Sequence, residues 1–232
     1  MYSKDIERKA VLSLLKLTRD NVTSSSILAK ESRISASVIR NLMTKFHEDG
    51  LICLQGNLIN VSAIQRIKIV IKSLTFNQDF ENVSRELNWS EFENIVAMVF
   101  EENDYSVLKR LRFKSQGRRW EIDVYAHKRP HIILVECKHW QRGFTSSTIK
   151  KTIIDHLTKI QAFIKVLPDM KKHIKIINWH QATLLPIVVS LTKGPFDFYE
   201  GVPFVSVHKL PSFISDLSAH IYYLKTFKKT FT

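Results

Sequence analysis

The first sixty residues combine short amphipathic helical patterns with polar turns. Apolar residues at helical spacing predict one helix over residues 4–17 and a second over residues 24–32. A third helix is predicted within RISASVIRNLMTKFHEDGLI, where Gly50 would end it as a C-terminal cap. Two short strands joined at residues 55–57 are predicted in LICLQGNLINV. The pattern is therefore three helices followed by a hairpin.

Residues 63–88 predict a helical connector. A helix is expected over AIQRIKIVIKSL, with one apolar stripe formed by Ile64, Ile67, Ile71 and Leu74. The segment TFNQDFENVSRELN that follows is polar and less patterned, so a domain boundary is predicted near residues 75–88. We therefore expect an N-terminal domain over 1–62, the connector over 63–88 and a C-terminal domain over 89–232.

The C-terminal domain has a different order of elements. Its first helix is predicted over SEFENIVAMVFEEN, and three strands are predicted over YSVLKRLRF, RRWEIDVYA and HIILVECK. A long helix is expected in STIKKTIIDHLTKIQAFIKVL, then strands in TLLPIVVSL and PFVSV, and a closing helix in LPSFISDLSAHI. This order is typical of a mixed α/β sheet flanked by helices.

The charge of the chain indicates its class of partner. Of 232 residues, 44% are hydrophobic, and the net charge is +13. Such a positive surplus favours nucleic acid first and an anionic membrane surface second. Residues 89–232 contain 22 Lys and Arg against 13 Asp and Glu, so most of the surplus lies in the C-terminal domain.

The sequence does not favour a membrane protein. Its longest apolar run, in ATLLPIVVSL, is far shorter than the ~18 residues of a spanning helix. The N-terminus MYSKDIERKA has charges of both signs and lacks the apolar core of a signal peptide. Cys53 and Cys137 form neither a disulfide framework nor a CxxC pair. We expect a cytoplasmic protein with no membrane partner and no dedicated zinc site.

Four charged residues lie in the predicted hairpin WEIDVYAHKRPHIILVECK. If residues 128–131 form its turn, Asp123 lies opposite Glu136 and Glu121 opposite Lys138, with all four side chains on one face. Opposed carboxylates repel unless a cation lies between them. Their oxygens suit Mg²⁺, which can neutralise a scissile phosphate and activate water. Two cross-strand salt bridges at a solvent-facing sheet edge would explain the same charges without chemistry.

The order of Asp123, a hairpin and Glu136-Cys137-Lys138 resembles the PD-(D/E)xK signature of restriction-endonuclease-like nucleases. The flanking helices resemble the αβββαβ core of that superfamily over about residues 90–210, and VECKHW looks most like Mrr-type endonucleases and archaeal Holliday-junction resolvases. Residues 1–60 resemble a winged helix-turn-helix domain. The predicted fold is thus a winged helix-turn-helix followed by a restriction-endonuclease-like domain with a mixed central sheet, in the α+β or α/β class.

The nuclease resemblance implies a role for each matching residue. Asp123 and Glu136 would be metal ligands for Mg²⁺ or Mn²⁺, and Lys138 would be the catalytic lysine. Glu93 would be the acidic residue of the first helix that often completes the metal site. The alternative for Glu93 is a structural one, because residues 90–93, SEFE, also fit a capping box. Glu91 is the less favoured substitute for Glu93 as a ligand.

Basic residues predict where DNA would bind. Suitable side chains lie on the outward face of the third helix, at the start of the second C-terminal strand and at the start of the long helix: Arg40, Lys45, Arg118, Arg119, Lys150 and Lys151. Such charges are also common on any solvated surface, and winged helices also dock onto proteins.

The predicted function is that of a metal-dependent DNA endonuclease, acting on duplex or branched DNA and guided by the winged helix. The alternative is a non-catalytic DNA-binding or transcription-associated regulatory protein that retains a nuclease fold. Cutting both strands, or both arms of a junction, would favour a homodimer.

Overall fold

A computed structural model describes residues 3–19, 22–73, 86–139 and 145–231. Contacts divide the chain into two compact units, Met1–Glu91 and Phe92–Thr232. The division falls within the helix Trp89–Glu101. Most of the polar segment in which the sequence predicts a boundary, residues 75–88, lies outside the described residues.

The first unit contains three helices, a small antiparallel sheet and a fourth helix. In chain order these are α1 (Lys4–Leu17), β1 (Thr23–Ser24), α2 (Ser25–Ser32), α3 (Ala36–Glu48), β2 (Cys53–Gln55), β3 (Leu58–Asn60) and α4 (Ala63–Ser73). The two-residue strand β1, which the sequence pattern does not predict, joins the hairpin in the order β1-β3-β2. Gly50 follows α3 with φ 69°, the left-handed conformation that ends a helix.

The buried face of α4 differs from the predicted stripe. Ile64 is 62% exposed, whereas Arg66, Ile69 and Val70 are buried, so the predicted stripe is wrong at Ile64. Leu74 lies outside the described residues. The reason is the Arg66 guanidinium, which donates to the Leu15 carbonyl at 2.7 Å in the last turn of α1. Carbonyls at a helix C-terminus lack partners within the helix, so a buried cation is well placed there.

The second unit is built around one mixed sheet. Its elements are α5 (Trp89–Glu101), β4 (Ser106–Ser115), β5 (Arg118–Lys128), β6 (His131–Lys138), α6 (Ser146–Met170), β7 (Gln181–Ser190), β8 (Phe198–Tyr199), β9 (Val202–Ser206), α7 (Leu210–Ser215), α8 (Leu217–His220) and β10 (Phe227–Thr230). The predicted closing helix is divided at Asp216 into α7 and α8. The sequence pattern does not predict β8 and β10, which are only two and four residues long.

The strand order is β4-β5-β6-β7-β9-β8, and β10 pairs with β7. Strands β4, β5 and β6 form an antiparallel meander, whereas β6, β7 and β9 are parallel. The carboxyl ends of these three strands therefore meet at one edge, where Lys138 pairs with Ser190 and Ser190 with Ser206. Helix α6 packs on the sheet through Ile160, Phe163 and Leu167, which belong to the main buried cluster.

Among the helices of the described ranges, none is both long and apolar enough to cross a membrane.

Candidate active site

The β5–β6 hairpin places two carboxylates at the point where its strands separate. Its turn lies between Lys128 and His131, and the paired residues continue as far as Val124 and Val135. This is the register in which Asp123 lies opposite Glu136. Beyond Val124 the Asp123 side chain replaces a strand contact, because its Oδ2 accepts a hydrogen bond from the Cys137 backbone N–H at 2.7 Å. Asp123 is thereby fixed next to the residue that follows Glu136.

Strand β4 is distorted beside the same position. Arg110 would pair with Asp123 in the β4–β5 register, but the pairing passes from Lys109–Val124 to Leu111–Ile122. Arg110 has φ 52°, which is uncommon for a residue other than glycine. Its Nε donates to Oε2 of Glu93 at 2.8 Å, so the distortion directs a guanidinium toward α5. Asp123 therefore has no regular pairing partner on either neighbouring strand, β4 or β6.

Glu136 is held by two lysines. Its Oε1 accepts from Lys138 Nζ at 2.8 Å, and its Oε2 accepts from Lys159 Nζ at 2.5 Å. Lys138 lies on the same strand, whereas Lys159 reaches the carboxylate from α6. The ion-pair partner of Lys138 is therefore Glu136.

His156 also faces Glu136 from α6 and is completely buried. Its Nε2 lies 2.9 Å from the Leu134 carbonyl, and its Nδ1 lies 3.6 Å from Oε2 of Glu136. Burial lowers the His156 pKa to about 4, so the ring is neutral near pH 7. Donation to the Leu134 carbonyl then places the single proton on Nε2, which leaves the Nδ1 lone pair directed toward the carboxylate.

The two carboxylates have opposite pKa shifts. Burial and the nearby charge of Glu136 raise the Asp123 pKa to about 7, and Glu93 adds to that rise. Burial also acts to raise the Glu136 pKa, but Lys159 and Lys138 outweigh it and the net shift is downward. Near neutral pH the site thus contains one ionised carboxylate, Glu136, and a second, Asp123, that is close to its titration midpoint.

Glu93 is not the capping residue of its helix. The cap is formed two residues earlier, since Asn88 Oδ1 accepts from the Glu91 N–H and Glu91 Oε2 accepts from the Asn88 N–H, both at 2.9 Å. Glu91 also accepts from buried Arg66 at 2.6 Å and so belongs to the first unit's core. The capping-box alternative for Glu93 is therefore wrong, because Glu91 is the acidic residue of the capping box. Glu93 is 3% exposed and close enough to raise the Asp123 pKa.

Glu121 lies apart from the other charges of the hairpin. Its carboxylate accepts from Arg112 Nε on β4 at 2.5 Å. The predicted pairing of Glu121 with Lys138 is wrong, because the strands separate after Val124 and Lys138 turns to Glu136 instead. Glu121 is thus paired with Arg112, and Lys138 is paired with Glu136.

Sequence reasoning missed His156 and Lys159. They lie three residues apart on α6 and so share one helix face, next to buried Ile153 and Ile160. A histidine at a core position of an amphipathic helix is a signal that could have been noticed. Which strand residue such a helix faces depends on the packing of α6 against β6, and the sequence alone does not show that packing.

Comparison with known proteins gives the family of this region. Residues 84–176 match a family model described as restriction endonuclease, and this stretch contains Glu93, Asp123, Glu136 and Lys138. This match supports the assignment of residues 84–176 to the PD-(D/E)xK restriction-endonuclease-like superfamily. The mixed sheet with flanking helices fits the same fold.

Individual relatives are distant. Over 137 residues the chain is 26% identical to an uncharacterized protein of Archaeoglobus fulgidus, a match that covers 59% of this chain and 95% of the relative. A crystal structure of a protein of unknown function is similar over 49% of this chain and 55% of that chain, with 18% identity and a TM-score of 0.34. A Vibrio cholerae protein of known structure is similar over 96% of this chain and 58% of that chain, with 10% identity and a TM-score of 0.41. The chain spans little more than half the length of either solved structure.

The restriction-endonuclease-like domain has a donor set suited to a hard cation, although its carboxylates already have protein partners. Within the described residues, no group of three or more His, Cys, Asp and Glu side chains is arranged to hold a metal ion. Asp123, Glu136 and Glu93 have carboxylate oxygens, which are the type of ligand atom that Mg²⁺ and Mn²⁺ prefer. The raised pKa of Asp123 shows that its negative charge lacks sufficient compensation, which a divalent cation would provide. The residues present therefore fit such an ion chemically.

The basic residues predicted to contact DNA are all on the surface. Arg40 and Lys45 are exposed on α3 of the first unit. Arg118 and Arg119 are exposed at the start of β5, where the Arg118 guanidinium lies 4.0 Å from the centre of the Trp120 ring. Lys150 and Lys151 are exposed near the start of α6. A cleft of about 560 Å³ next to Arg119 is lined by further residues of the β4–β5 hairpin, Arg112, Phe113, Lys114, Trp120 and Glu121.

Proposed function

We propose that this protein is a Mg²⁺- or Mn²⁺-dependent endodeoxyribonuclease that hydrolyses phosphodiester bonds in DNA. The observation that carries the proposal is the convergence of Asp123 and Glu136 beside Lys138, at a point where two strands separate inside a restriction-endonuclease-like domain. Burying charged groups of one sign together is costly, and chemistry that uses a cation gives a reason for the arrangement.

The three carboxylates share one task in this proposal, and each is held by a different protein group. Asp123, Glu136 and Glu93 would hold the divalent ion, which when bound neutralises phosphate charge and lowers the pKa of an attacking water. The hydrogen bond from the Cys137 N–H fixes one oxygen of Asp123 and leaves the other available. Glu93 is oriented by Arg110, whose Nε lies 2.8 Å from Oε2.

Lys138 would act directly on the substrate. Its ammonium group lies 2.8 Å from Glu136, so it is positioned by the same carboxylate that serves as a metal ligand. When a phosphate enters, an ammonium at this place can donate to a phosphate oxygen and stabilise the charge that develops during hydrolysis. Lys159 on the opposite oxygen of Glu136 would keep that carboxylate ionised and correctly oriented.

DNA would lie across the β4–β5 hairpin and the start of α6. The cleft beside Arg119 presents guanidinium and ammonium groups together with Trp120, which suits phosphate contacts and contact with a sugar or base. Lys150 and Lys151 add positive charge from α6. Since Arg118 already stacks on Trp120, its guanidinium is held in place for a phosphate contact.

The first unit would bind DNA as a winged helix-turn-helix domain. Its order of helix, strand, helix, helix and two-stranded hairpin supports this reading. Helix α3 exposes Arg40, Asn41 and Lys45 on one side, while Ile39, Leu42 and Phe46 are buried on the other. An exposed basic helix of this type can enter the major groove. Cutting both strands of a duplex would call for two copies of the protein.

One observation favours the second candidate, a non-catalytic DNA-binding protein. Each carboxylate of the candidate site already accepts from a protein donor: Asp123 from Cys137, Glu136 from Lys138 and Lys159, and Glu93 from Arg110. A site of this kind can persist without a metal ion.

A cleavage assay separates the two candidates. Linear duplex, nicked duplex and four-way-junction DNA are incubated with the purified protein, with Mg²⁺, with Mn²⁺, or with EDTA. The endonuclease proposal expects new DNA ends that depend on the divalent ion and disappear with EDTA. Binding of DNA without cleavage of any substrate in either metal would favour the regulatory protein.

A further inference from the structure

A second cavity lies at the sheet edge where β7 and β9 end. It has a volume of about 260 Å³ and is formed by the end of β9, by α7 and by the segment that leads into β8. This volume is slightly below the ~300 Å³ lower limit of typical small-molecule pockets, so the cavity suits a single small ring system.

Aromatic side chains form the apolar part of this cavity. Phe198, Phe204 and Phe213 line it, and Phe198 is 54% exposed. Phe204 is only 3% exposed and so forms a rigid inner wall. Flat aromatic walls favour a flat ligand, because stacked rings bury the largest area for the least ordering.

Polar side chains also line this cavity. Ser206 is 3% exposed, and its hydroxyl has no hydrogen-bond partner among the described residues. A buried hydroxyl without a partner is costly, so a ligand that pairs with it gains affinity. Two carboxylates, Asp197 and Asp216, also line the cavity and can accept hydrogen bonds from an amino group.

Two lysine ammonium groups also line the cavity. Lys193 and Lys209 line the same cavity and are exposed, so they can contact an anion at its mouth. A flat ring with an amino group, attached to an anion, is the chemical description of a nucleotide. Adenine, cytosine and guanine have an exocyclic amino group, whereas thymine does not.

We propose that this cavity binds one extrahelical nucleotide of the DNA, with its base against Phe198 and Ser206 and its phosphate toward Lys193 and Lys209. The proposal rests on the nuclease function proposed above, which it makes more specific. Lys138, Ser190 and Ser206 lie on successive strands of the sheet. Adjacent strands are about 4.8 Å apart, so the backbones of Lys138 and Ser206 are about 10 Å apart. A phosphate at Lys138 and a base in the cavity can then belong to neighbouring nucleotides.

This arrangement selects a class of DNA. A base inside a continuous duplex must be unstacked and unpaired before it can enter a pocket, whereas a base at a branch, flap or mismatch is already partly free. The substrate is therefore DNA with an unpaired nucleotide near the scissile bond, rather than a continuous duplex.

The test measures nucleotide binding by the full chain without any divalent metal. Calorimetric titrations use dAMP, dCMP, dTMP and inorganic phosphate as separate probes at up to roughly millimolar concentration. We expect dAMP and dCMP to bind more tightly than dTMP, and inorganic phosphate to bind least. Loss of one stacking contact in Phe198→Ala should weaken dAMP binding at least about fivefold. Ser206→Ala should also weaken it, and Tyr222→Ala, which removes an aromatic side chain that is 91% exposed, should not.

The outcomes separate this inference from the nuclease proposal. If dAMP does not bind, or binds equally to the wild type, Phe198→Ala and Ser206→Ala, the cavity is not a nucleotide site, even when DNA is cleaved. If dAMP binds as expected and no DNA is cleaved, the cavity assignment stands and the nuclease proposal fails. Because Phe198 is half exposed and the Ser206 hydroxyl has no partner in the described chain, both variants should fold.

Discussion

The Asp123 carboxylate accepts a hydrogen bond from the Cys137 backbone N–H at 2.7 Å, across the point where β5 and β6 separate. This contact holds one carboxylate beside the strand position of a second, Glu136. Burial and the charge of Glu136 then raise the Asp123 pKa to about 7. The hydrogen bond from Cys137 itself acts to lower the Asp123 pKa, so burial and the charge of Glu136 outweigh it.

The first prediction concerns Asp123→Asn and the pH dependence of stability. The ordinary Asp pKa is 3.8 and the folded-state pKa is about 7, so the folded protein binds the proton more tightly than the unfolded chain. The stability that this proton contributes is present at acid pH and is lost as the pH rises through about 7. Asp123→Asn is neutral at every pH, so its free energy of unfolding should exceed that of the wild type by an amount that grows as the pH rises from about 4 to about 7 and stays constant at higher pH.

Urea denaturation at a series of pH values measures this difference. Each unit of pKa shift corresponds to about 1.4 kcal/mol. Adding Mg²⁺ at pH 8 should stabilise the wild type and leave Asp123→Asn nearly unchanged, which reports on the metal without measuring cleavage. If the free energies of unfolding of the two proteins changed in parallel from pH 4 to pH 9, the Asp123 pKa would not be raised in the folded protein.

Without metal, the Lys159→Met variant should be less stable than the wild type, and it should bind Mg²⁺ more tightly. Lys159 is one of two cations on Glu136, so its removal leaves more negative charge at the site. The melting temperature without metal should fall, and the apparent Kd for Mg²⁺ should decrease. Isothermal titration calorimetry and thermal melts measure both effects. Lys165→Met, an exposed lysine on the same helix, is the matched control. Equal Kd values for the two variants would mean that Lys159 does not act on the ligand set.

The buried Arg66–Glu91 ion pair should contribute to the folding stability of the protein and not to its activity. Arg66→Met leaves the Glu91 carboxylate buried without its cation, a change that costs about 3–5 kcal/mol in comparable pairs. Adding Glu91→Gln removes that charge and keeps a side chain suited to the capping box, so part of the loss should be recovered. Urea denaturation compares the single and double variants. A double variant less stable than Arg66→Met would contradict this account.

The salt dependence of DNA binding tests the role of α3. Arg40→Ala combined with Lys45→Ala removes two predicted phosphate contacts, so the slope of log K against log salt should decrease by about 0.9 for each contact. Fluorescence anisotropy with labelled duplex DNA measures the slope. Lys9→Ala with Lys68→Ala changes the charge equally on helices α1 and α4. Identical slopes for the two double variants would favour a protein-docking role for the first unit.

Local sequence patterns predict the elements well where one interaction dominates. Helix α1 and strand β6 have the predicted bounds, because caps and apolar spacing act within a few residues. The turn at residues 128–131 fixes the hairpin register, and with it the neighbourhood of Asp123 and Glu136. The positions of these two residues relative to each other could therefore be predicted from the sequence.

Long-range packing accounts for the features that the sequence did not predict. The interruption of the β4–β5 pairing at Asp123 coincides with the unusual backbone of Arg110, a residue of another strand. Lys159 and His156 reach Glu136 only because of the way α6 packs on the sheet. Arg66 takes a core position because the end of α1 offers it a carbonyl. None of these partners lies within ten residues of the group it contacts.

The central claim is that Asp123, Glu136 and Lys138 form a metal-dependent phosphodiesterase site. The most direct measurement is the rate of DNA cleavage in Mg²⁺ by the wild type, Asp123→Asn and the surface control Asp155→Asn, with binding of the same DNA measured in parallel. The account predicts that Asp123→Asn loses at least about 100-fold in rate while it still binds DNA, and that Asp155→Asn cleaves like the wild type. Cleavage by Asp123→Asn at the wild-type rate would contradict the assignment of the site.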